Sequence, residues 1–252
     1  MIKEIKNLLG FLTIFPVGMS PDCLTDAAKY MYLFPIIGAL IGLLAGLLAL
    51  TLNYVLPSLI VGILTCGFIL LLTGLHHTDG LLDFGDGLMC QGPPERKIEV
   101  MHDVQTGTGG LMIGLITILT TALCISQLKR DSVLQSLIVS EVSAKLAMVA
   151  LAWLGKSAHE GMNTYFINAM HSTHRKLRMA TALAISLIIA FSALEITGLI
   201  TIIAGLFATF IILWTSNRHF KGVTGDVMGA ANELTRMASL LAILMLAMAK
   251  VF

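Results

Sequence analysis

Apolar runs of near-membrane length alternate with short polar segments along almost the whole chain. A helix needs about 20 largely apolar residues to cross a hydrocarbon core of ~30 Å. Seven stretches approach that length, at about 32–52, 58–75, 110–128, 133–154, 181–194, 198–214 and 237–252. The fifth and sixth are short and separated by little more than residues 195–197, so the pattern predicts either a tight helical hairpin or one broken pair. Ahead of all seven, residues 2–15 carry apolar Ile5, Leu8, Leu9 and Leu12, with Lys3, Glu4, Lys6 and Asn7 elsewhere. That spacing predicts a short amphipathic helix lying in the membrane interface, ended by Pro16. The expected fold is an all-α integral membrane protein, with about seven transmembrane helices plus a short N-terminal amphipathic interfacial helix. It forms one polytopic domain over 1–252.

Composition supports this and narrows it. The chain is 56% hydrophobic and 12% charged, against about a quarter charged in a soluble domain. Long Val/Thr/aromatic alternation, the mark of membrane strands, is missing. No hydrophilic stretch is long enough for a separate soluble domain. A formal net charge of +1 gives no electrostatic case for nucleic acid as a partner. Cys23, Cys66, Cys90 and Cys124 form no CxxC pair, and two lie in apolar runs, which argues against a disulfide framework or structural zinc. The first ten residues lack a long apolar run and a cleavage site, so they read as mature protein rather than a signal peptide.

Charge then sets orientation. With the N-terminus in the cytoplasm, twelve of the sixteen Lys and Arg fall inside, among them Lys97, Lys221 and Arg236. Lys129, Arg130 and Lys250 fall outside, and Lys145 lies within a span. By the positive-inside rule the expectation is a multi-pass cell-membrane protein with its N-terminus and active segments cytoplasmic. Those inner segments, about 76–109, 155–180 and 215–236, hold nearly every residue capable of chemistry.

In the first segment, Asp79, Asp83 and Asp86 stand at i, i+4 and i+7, one face of a helix. Three stacked carboxylates repel one another unless a divalent cation neutralises them. Hard oxygen donors suit Mg2+, Mn2+ or Ca2+ rather than zinc. The bland alternative is a solvated acidic helix end. Against it, Leu81, Leu82, Phe84, Leu88 and Met89 surround the acids, where unpaired charge is costly. Gly80, Gly85 and Gly87 suggest a broken helix or close approach of backbone to a ligand. His76, at i−3 from Asp79, shares its face and His77 does not. A histidine here suits a hydrogen bond to carboxylate or phosphate, or a general base; a helix-end histidine without special role competes with that.

Two further segments add anion-binding character. Asp103 and the Gly107–Gly110 turn open the third span, where free N–H groups and the positive helix end favour an anion. Asp103 reads equally as a metal ligand or a helix cap. Later, Lys221, Thr224, Gly225, Asp226 and Glu233 lead into the last span, with Asp226 and Glu233 at i, i+7. Gly229 and Ala230 between them leave room for a ligand, and Thr224 or Asp226 also suits an N-cap. Glu141 and Lys145, at i, i+4 in the fourth span, read first as an intrahelical ion pair and second as a substrate contact. The cationic loop at 156–178, which includes His159, His171, Arg175 and Arg178, reads as an anchor to anionic membrane lipid, with phosphate binding by one or two cations as the alternative. Carboxylates around a divalent metal beside glycine-rich anion sites point to phosphoryl transfer onto a hydroxyl.

Three ordered motifs carry a resemblance. They are His77-x-Asp79-Gly80-x-x-Asp83-x-x-Asp86-Gly87, then Met101-x-Asp103 with Gly107-x-x-Gly110, then Thr224-Gly225-Asp226-x-x-Gly229-Ala230-x-x-Glu233. With Phe11 to Val17, Phe34 to Gly38 and Glu160-Gly161, the chain resembles the cobalamin synthase family, also called adenosylcobinamide-GDP ribazoletransferase. It departs at Leu75, at Val104-Gln105 in place of Ser-Arg, and near Lys145, where the family carries an arginine. The resemblance implies attack of the ribose hydroxyl of α-ribazole, or of its 5′-phosphate, on the cobinamide-linked phosphate of adenosylcobinamide-GDP, with GMP leaving. It implies Mg2+ as cofactor, with Mn2+ as a substitute, held by Asp79, Asp83 and Asp86 with Asp103 and Asp226 as candidates. His77 or Glu233 is the candidate base. The substrate-binding set is His76, Gly80, Gly87, Gly107 and Gly110, together with Lys145, Lys221, Thr224 and Gly225. Self-association into a homo-oligomer is allowed and not required. Two rivals fit less well. A CDP-alcohol phosphotransferase normally shows Ala-Arg where Leu81-Leu82 stands. A cation-coupled transporter places its acids near mid-bilayer and often shows two similar halves.

Overall fold

The computed structural model describes residues 2–18 and 21–249 and turns the apolar runs into helices, with no named strand among the described residues. Helix α1 (Ile2–Leu12) and helix α2 (Cys23–Lys29) lead through a 3₁₀ turn (Met31–Leu33) into α3 (Phe34–Leu52). Then come α4 (Ser58–Leu72), α5 (His76–Met89), α6 (Pro94–Met101) and α7 (Thr108–Gln127). The chain continues through α8 (Val133–Leu154), α9 (Met162–Met170), α10 (Arg175–Phe220) and α11 (Gly225–Met248). Five stretches, residues 31–52 ending in α3 and helices α7, α8, α10 and α11, are long and apolar enough to cross a membrane.

The bundle closes around α8, which is buried along nearly its whole length and packs against α3, α10 and α11. Glycines set how closely α3 approaches. Gly38, Gly42 and Gly46 form a stripe four residues apart, and a Cβ at Gly38 would lie 2.6 Å from the Glu141 carbonyl oxygen. At Gly46 it would lie 2.8 Å from Leu134 Cα. Small-residue stripes bring helices together where lipid removes the hydrophobic drive between them.

Helix α10 settles the fifth and sixth runs as a hairpin. Its 46 residues would span about 69 Å if straight, at 1.5 Å per residue. It breaks instead at Leu194 and Glu195, where Glu195 takes φ 50 and ψ −130. Beyond the break Gly198 packs onto the Ala190 backbone, a contact between residues eight apart that requires the chain to reverse.

Helix α5 does not continue α4. Gly74 (φ 65) and Leu75 (φ 62) form a left-handed corner, and the two helices meet at 95°. The expected break at the α5 glycines does not occur, because each serves packing. Gly80 sits over the start of α11, where a Cβ would lie 2.9 Å from Asp226 Cα. Gly85 sits over the start of α7, 2.8 Å from Gly110 Cα, and Gly87 seats Met101 of α6. Helix α5 therefore lies across the first turns of α7 and α11, at the end of the bundle.

The last helix begins at Gly225, twelve residues before the apolar run at 237, because its polar first turns are buried by neighbours. Arg236, expected among the cytoplasmic cations, is fully buried in the bundle. That corrects the inner count from twelve to eleven. Residues 250–252, including Lys250, lie outside the described residues. Other loop cations close helix C-termini. Arg175 donates to the Trp153 carbonyl at 2.8 Å, and Lys97 to the carbonyls of Leu88 and Cys90. Helix α1 buries Leu8 and Leu12 against the bundle. Its following residue Ile14 donates its N–H to Leu72 O at 2.9 Å.

Candidate active site

Four carboxylates gather where α5 crosses α7 and α11, and they do different work. Asp86 is buried and caps α7. Its Oδ2 accepts the Gly107 N–H at 2.6 Å and its Oδ1 the Gly110 N–H at 2.8 Å. The anion expected at this glycine-rich helix start is therefore present, and it is the chain's own side chain rather than a phosphate. A Cβ at Gly107 would collide with Asp86, and one at Gly110 with Leu82 O.

Asp83 is half-buried and Asp79 exposed. Burial pushes the Asp83 carboxyl up to about 7, helped by the neighbouring charges of Asp79, Asp226 and Asp86. A carboxyl raised by neighbouring acids in this way belongs to a donor set that a divalent cation relieves, and all four groups offer hard oxygens. Among the described residues, no three acids, histidines or cysteines converge to ligating distance as the side chains stand. Asp103 stays apart from the cluster. It is exposed and accepts the Gln105 N–H at 3.1 Å, which closes its own turn.

At the start of α11, Thr224 is the N-cap. Its hydroxyl oxygen accepts the Val227 N–H at 3.1 Å and lies 3.3 Å from Asp226 Oδ2. Gly225 faces open space, since a Cβ there meets nothing within 4 Å. The room expected at Gly229 is taken by α5, with the His77 carbonyl oxygen 3.1 Å from a Cβ placed there. Lys221 is exposed, in a left-handed residue (φ 64) that ends α10.

Deeper in the bundle, α8 and α11 share a buried ionic network. Arg236 pairs with Glu141 and with Glu233. Lys145 donates to Asn232 Oδ1 at 2.6 Å and lies 3.7 Å from Glu141 Oε2. Asn232 donates to Glu233 Oε1 at 3.1 Å. Two acids and two bases thus cancel. Both oxygens of Glu233 are engaged, so it is poorly set to accept a substrate proton. The Glu141–Lys145 pair exists, but Arg236 holds Glu141 more closely. Sequence reasoning missed Arg236 as a buried partner; its signal was the i, i+3 spacing from Glu233.

Beside the acids lies a cavity of about 580 Å³, whose lining includes His76, His77, His102, His159 and Asp226. His77 is 6% exposed and its Nδ1 is buried without a hydrogen-bond partner. Burial holds its imidazole well below the usual histidine range, with the charges of Lys145, Arg236 and His76 adding to the effect. His159 Nε2 is also buried and unpartnered, and His102 stands edge-on to His159 at 5.0 Å. His102 and His159 come from separate loops, and no spacing along the chain links them to His77. The 155–163 loop is held in place by a bridge to the α10–α11 turn, with Val223 donating its N–H to Lys156 O at 2.8 Å.

Comparison with known proteins finds relatives along nearly the whole chain. The chain is 34% identical over 251 residues to an adenosylcobinamide-GDP ribazoletransferase of Methanococcoides burtonii, covering 95% of this chain and 91% of the relative. It is 36% identical over 253 residues to one of Methanocella arvoryzae, covering 95% and 94%. A third, from Syntrophobacter fumaroxidans, is 33% identical, covering 94% and 96%. No solved structure matches the chain. The family model of cobalamin-5-phosphate synthase matches residues 4–244, nearly the whole chain, and the chain belongs to that family.

Proposed function

We propose that this chain is an adenosylcobinamide-GDP ribazoletransferase, the activity named for its relatives. The observation that carries the residue assignment is the meeting of Asp79, Asp83 and Asp226 with the unpartnered His77 beside one cavity. A ribose hydroxyl oxygen of α-ribazole, or of its phosphate, forms a bond to the cobinamide-linked phosphorus. The bond from that phosphorus to the GMP oxygen breaks, and the hydroxyl proton is released. The products are adenosylcobalamin, or its phosphate, and GMP.

His77 is the better of the two candidate bases. It is neutral near pH 7 and has a free ring nitrogen, whereas Glu233 is committed to Arg236 and Asn232. Asp79, Asp83 and Asp226 would hold Mg2+ or Mn2+, with Asp86 fixing α5 on α7. When bound, the cation neutralises diphosphate charge and the leaving GMP. Gly225, exposed at the start of α11, would lie near the phosphates, with the buried Thr224 capping the helix behind it. Sidedness follows from charge: eleven cations fall on the site side and three opposite, which supports a multi-pass cell-membrane protein with a cytoplasmic site. Exposed Ile203, Phe207 and Phe210 on α10 suit contact with lipid. The test is GMP release by purified protein in lipid. Release should require the corrinoid substrate, α-ribazole and a divalent cation together; release without acceptor would mark a hydrolase instead.

A further inference from the structure

The transferase reading leaves open where its two large substrates sit, and the cavity beside the acids has a mixed lining. Besides the histidines it is lined by Phe11 of α1, Phe34 of α3 and Phe166 of α9, which meet as three rings. Their centroids lie 6.3, 5.3 and 6.1 Å apart for the pairs Phe11–Phe34, Phe11–Phe166 and Phe34–Phe166. Met31 and Met148 add to the apolar lining. Residues so distant in sequence build one aromatic box only because α1 and α9 fold over the end of α3. Its volume of about 580 Å³ lies in the range of roughly 300–1,000 Å³ that encloses a small organic ligand. A corrinoid carrying a nucleotide is far larger and stays outside.

We infer that this cavity seats the acceptor nucleoside, with its flat base against the wall that Phe11, Phe34 and Phe166 form and its ribose toward His77. The inference rests on the transferase reading above. The donor substrate also carries an aromatic base, guanine, and the lining discriminates between the two. Guanine presents several donors and acceptors, each costly to bury without a partner. No Lys or Arg lines the cavity; its polar side chains are four histidines and Asp226, which the sugar and phosphate need, and Asn163, whose NH2 is already engaged by Ser157 Oγ at 2.6 Å and the Val223 carbonyl at 2.8 Å. The dimethylbenzimidazole of α-ribazole is apolar apart from its ring nitrogens, and stacking on aromatic rings suits it. With the base on the rings, the sugar is left to the histidines and Asp226, where the phosphorus must arrive.

The test is steady-state kinetics in lipid, with KM measured separately for α-ribazole and for adenosylcobinamide-GDP. Phe11→Leu and Phe166→Leu should each raise KM for α-ribazole at least fivefold while KM for adenosylcobinamide-GDP stays within twofold. A rise confined to the corrinoid substrate, or no change in either KM, overturns the inference. Should the Leu variants fail to fold, calorimetric titration of wild type with α-ribazole decides. Binding should survive a tenfold excess of guanosine, and displacement by guanosine overturns the inference. A wild type that never releases GMP sinks the transferase reading and the inference with it; a wild type that turns over with unaltered variant KM values sinks the inference alone.

Discussion

Asp83 and Asp86 stand three residues apart on α5 and answer to different forces. Asp86 accepts two backbone N–H bonds at the start of α7, so Asp86→Ala should lower stability by about 1–2 kcal/mol, as loss of a helix cap does. Thermal unfolding in detergent measures it, and an unchanged transition would mean that the cap is unimportant. Asp83 has no such bond and is raised from 3.8 to about 7. A carboxyl raised on folding contributes stability that is present below pH 4 and lost as pH climbs through about 7. Without divalent cation, the unfolding temperature should therefore fall from pH 5 to pH 8. Mg2+ should restore it at pH 8 and do little at pH 5, and Asp83→Asn should flatten both effects. A Mg2+ response equal at both pH values would detach Asp83 from the cation. Spacing alone placed these acids on one helix. It did not tell which of them turns toward α7, because that choice is made by N–H groups more than twenty residues away.

At the scale of elements, hydropathy found the apolar cores of the helices and missed where polar turns are buried. The run at 237 was visible, and Thr224 as a candidate N-cap marked the helix start at Gly225; the burial of Glu233 and Arg236 was not legible, because it takes α8 to supply Glu141 and Lys145 opposite them. The same blindness hid the α3 glycine stripe, whose value lies in what it lets approach. The network makes a sharp prediction. Arg236→Ala leaves Glu141 and Glu233 without their cation inside the bundle, which should cost about 3–5 kcal/mol. Lys221→Ala, at an exposed turn, should stay within about 0.5 kcal/mol of wild type. Unfolding transitions of the two variants side by side measure this, and equal stabilities would show that the buried pairs are not formed. Helix α5 is the other lesson. Its glycines looked like breaks or ligand approaches, and they prove to be the places where three other helices touch it.

For the molecule as a whole, the all-α membrane fold was legible from run length and composition, and the motif order identified the family. The cavity was not legible, because Phe11, Phe34, His77, His102, His159 and Phe166 converge only after the chain has folded. Orientation is open to direct test. A membrane-impermeant thiol label confined to the cytoplasmic side should reach a cysteine placed at Glu95 and miss one at Asp131; the reverse would invert the topology. The account's central claim is that acids at one end of a helical bundle, with a divalent cation, join a nucleoside to a corrinoid phosphate. The most direct measurement is product stoichiometry in reconstituted vesicles given adenosylcobinamide-GDP, α-ribazole and Mg2+. GMP and adenosylcobalamin should appear one for one, cease when the cation is chelated, and be absent with Asp83→Asn at undiminished expression. GMP without cobalamin, or full activity in the Asp83→Asn protein, would contradict the account.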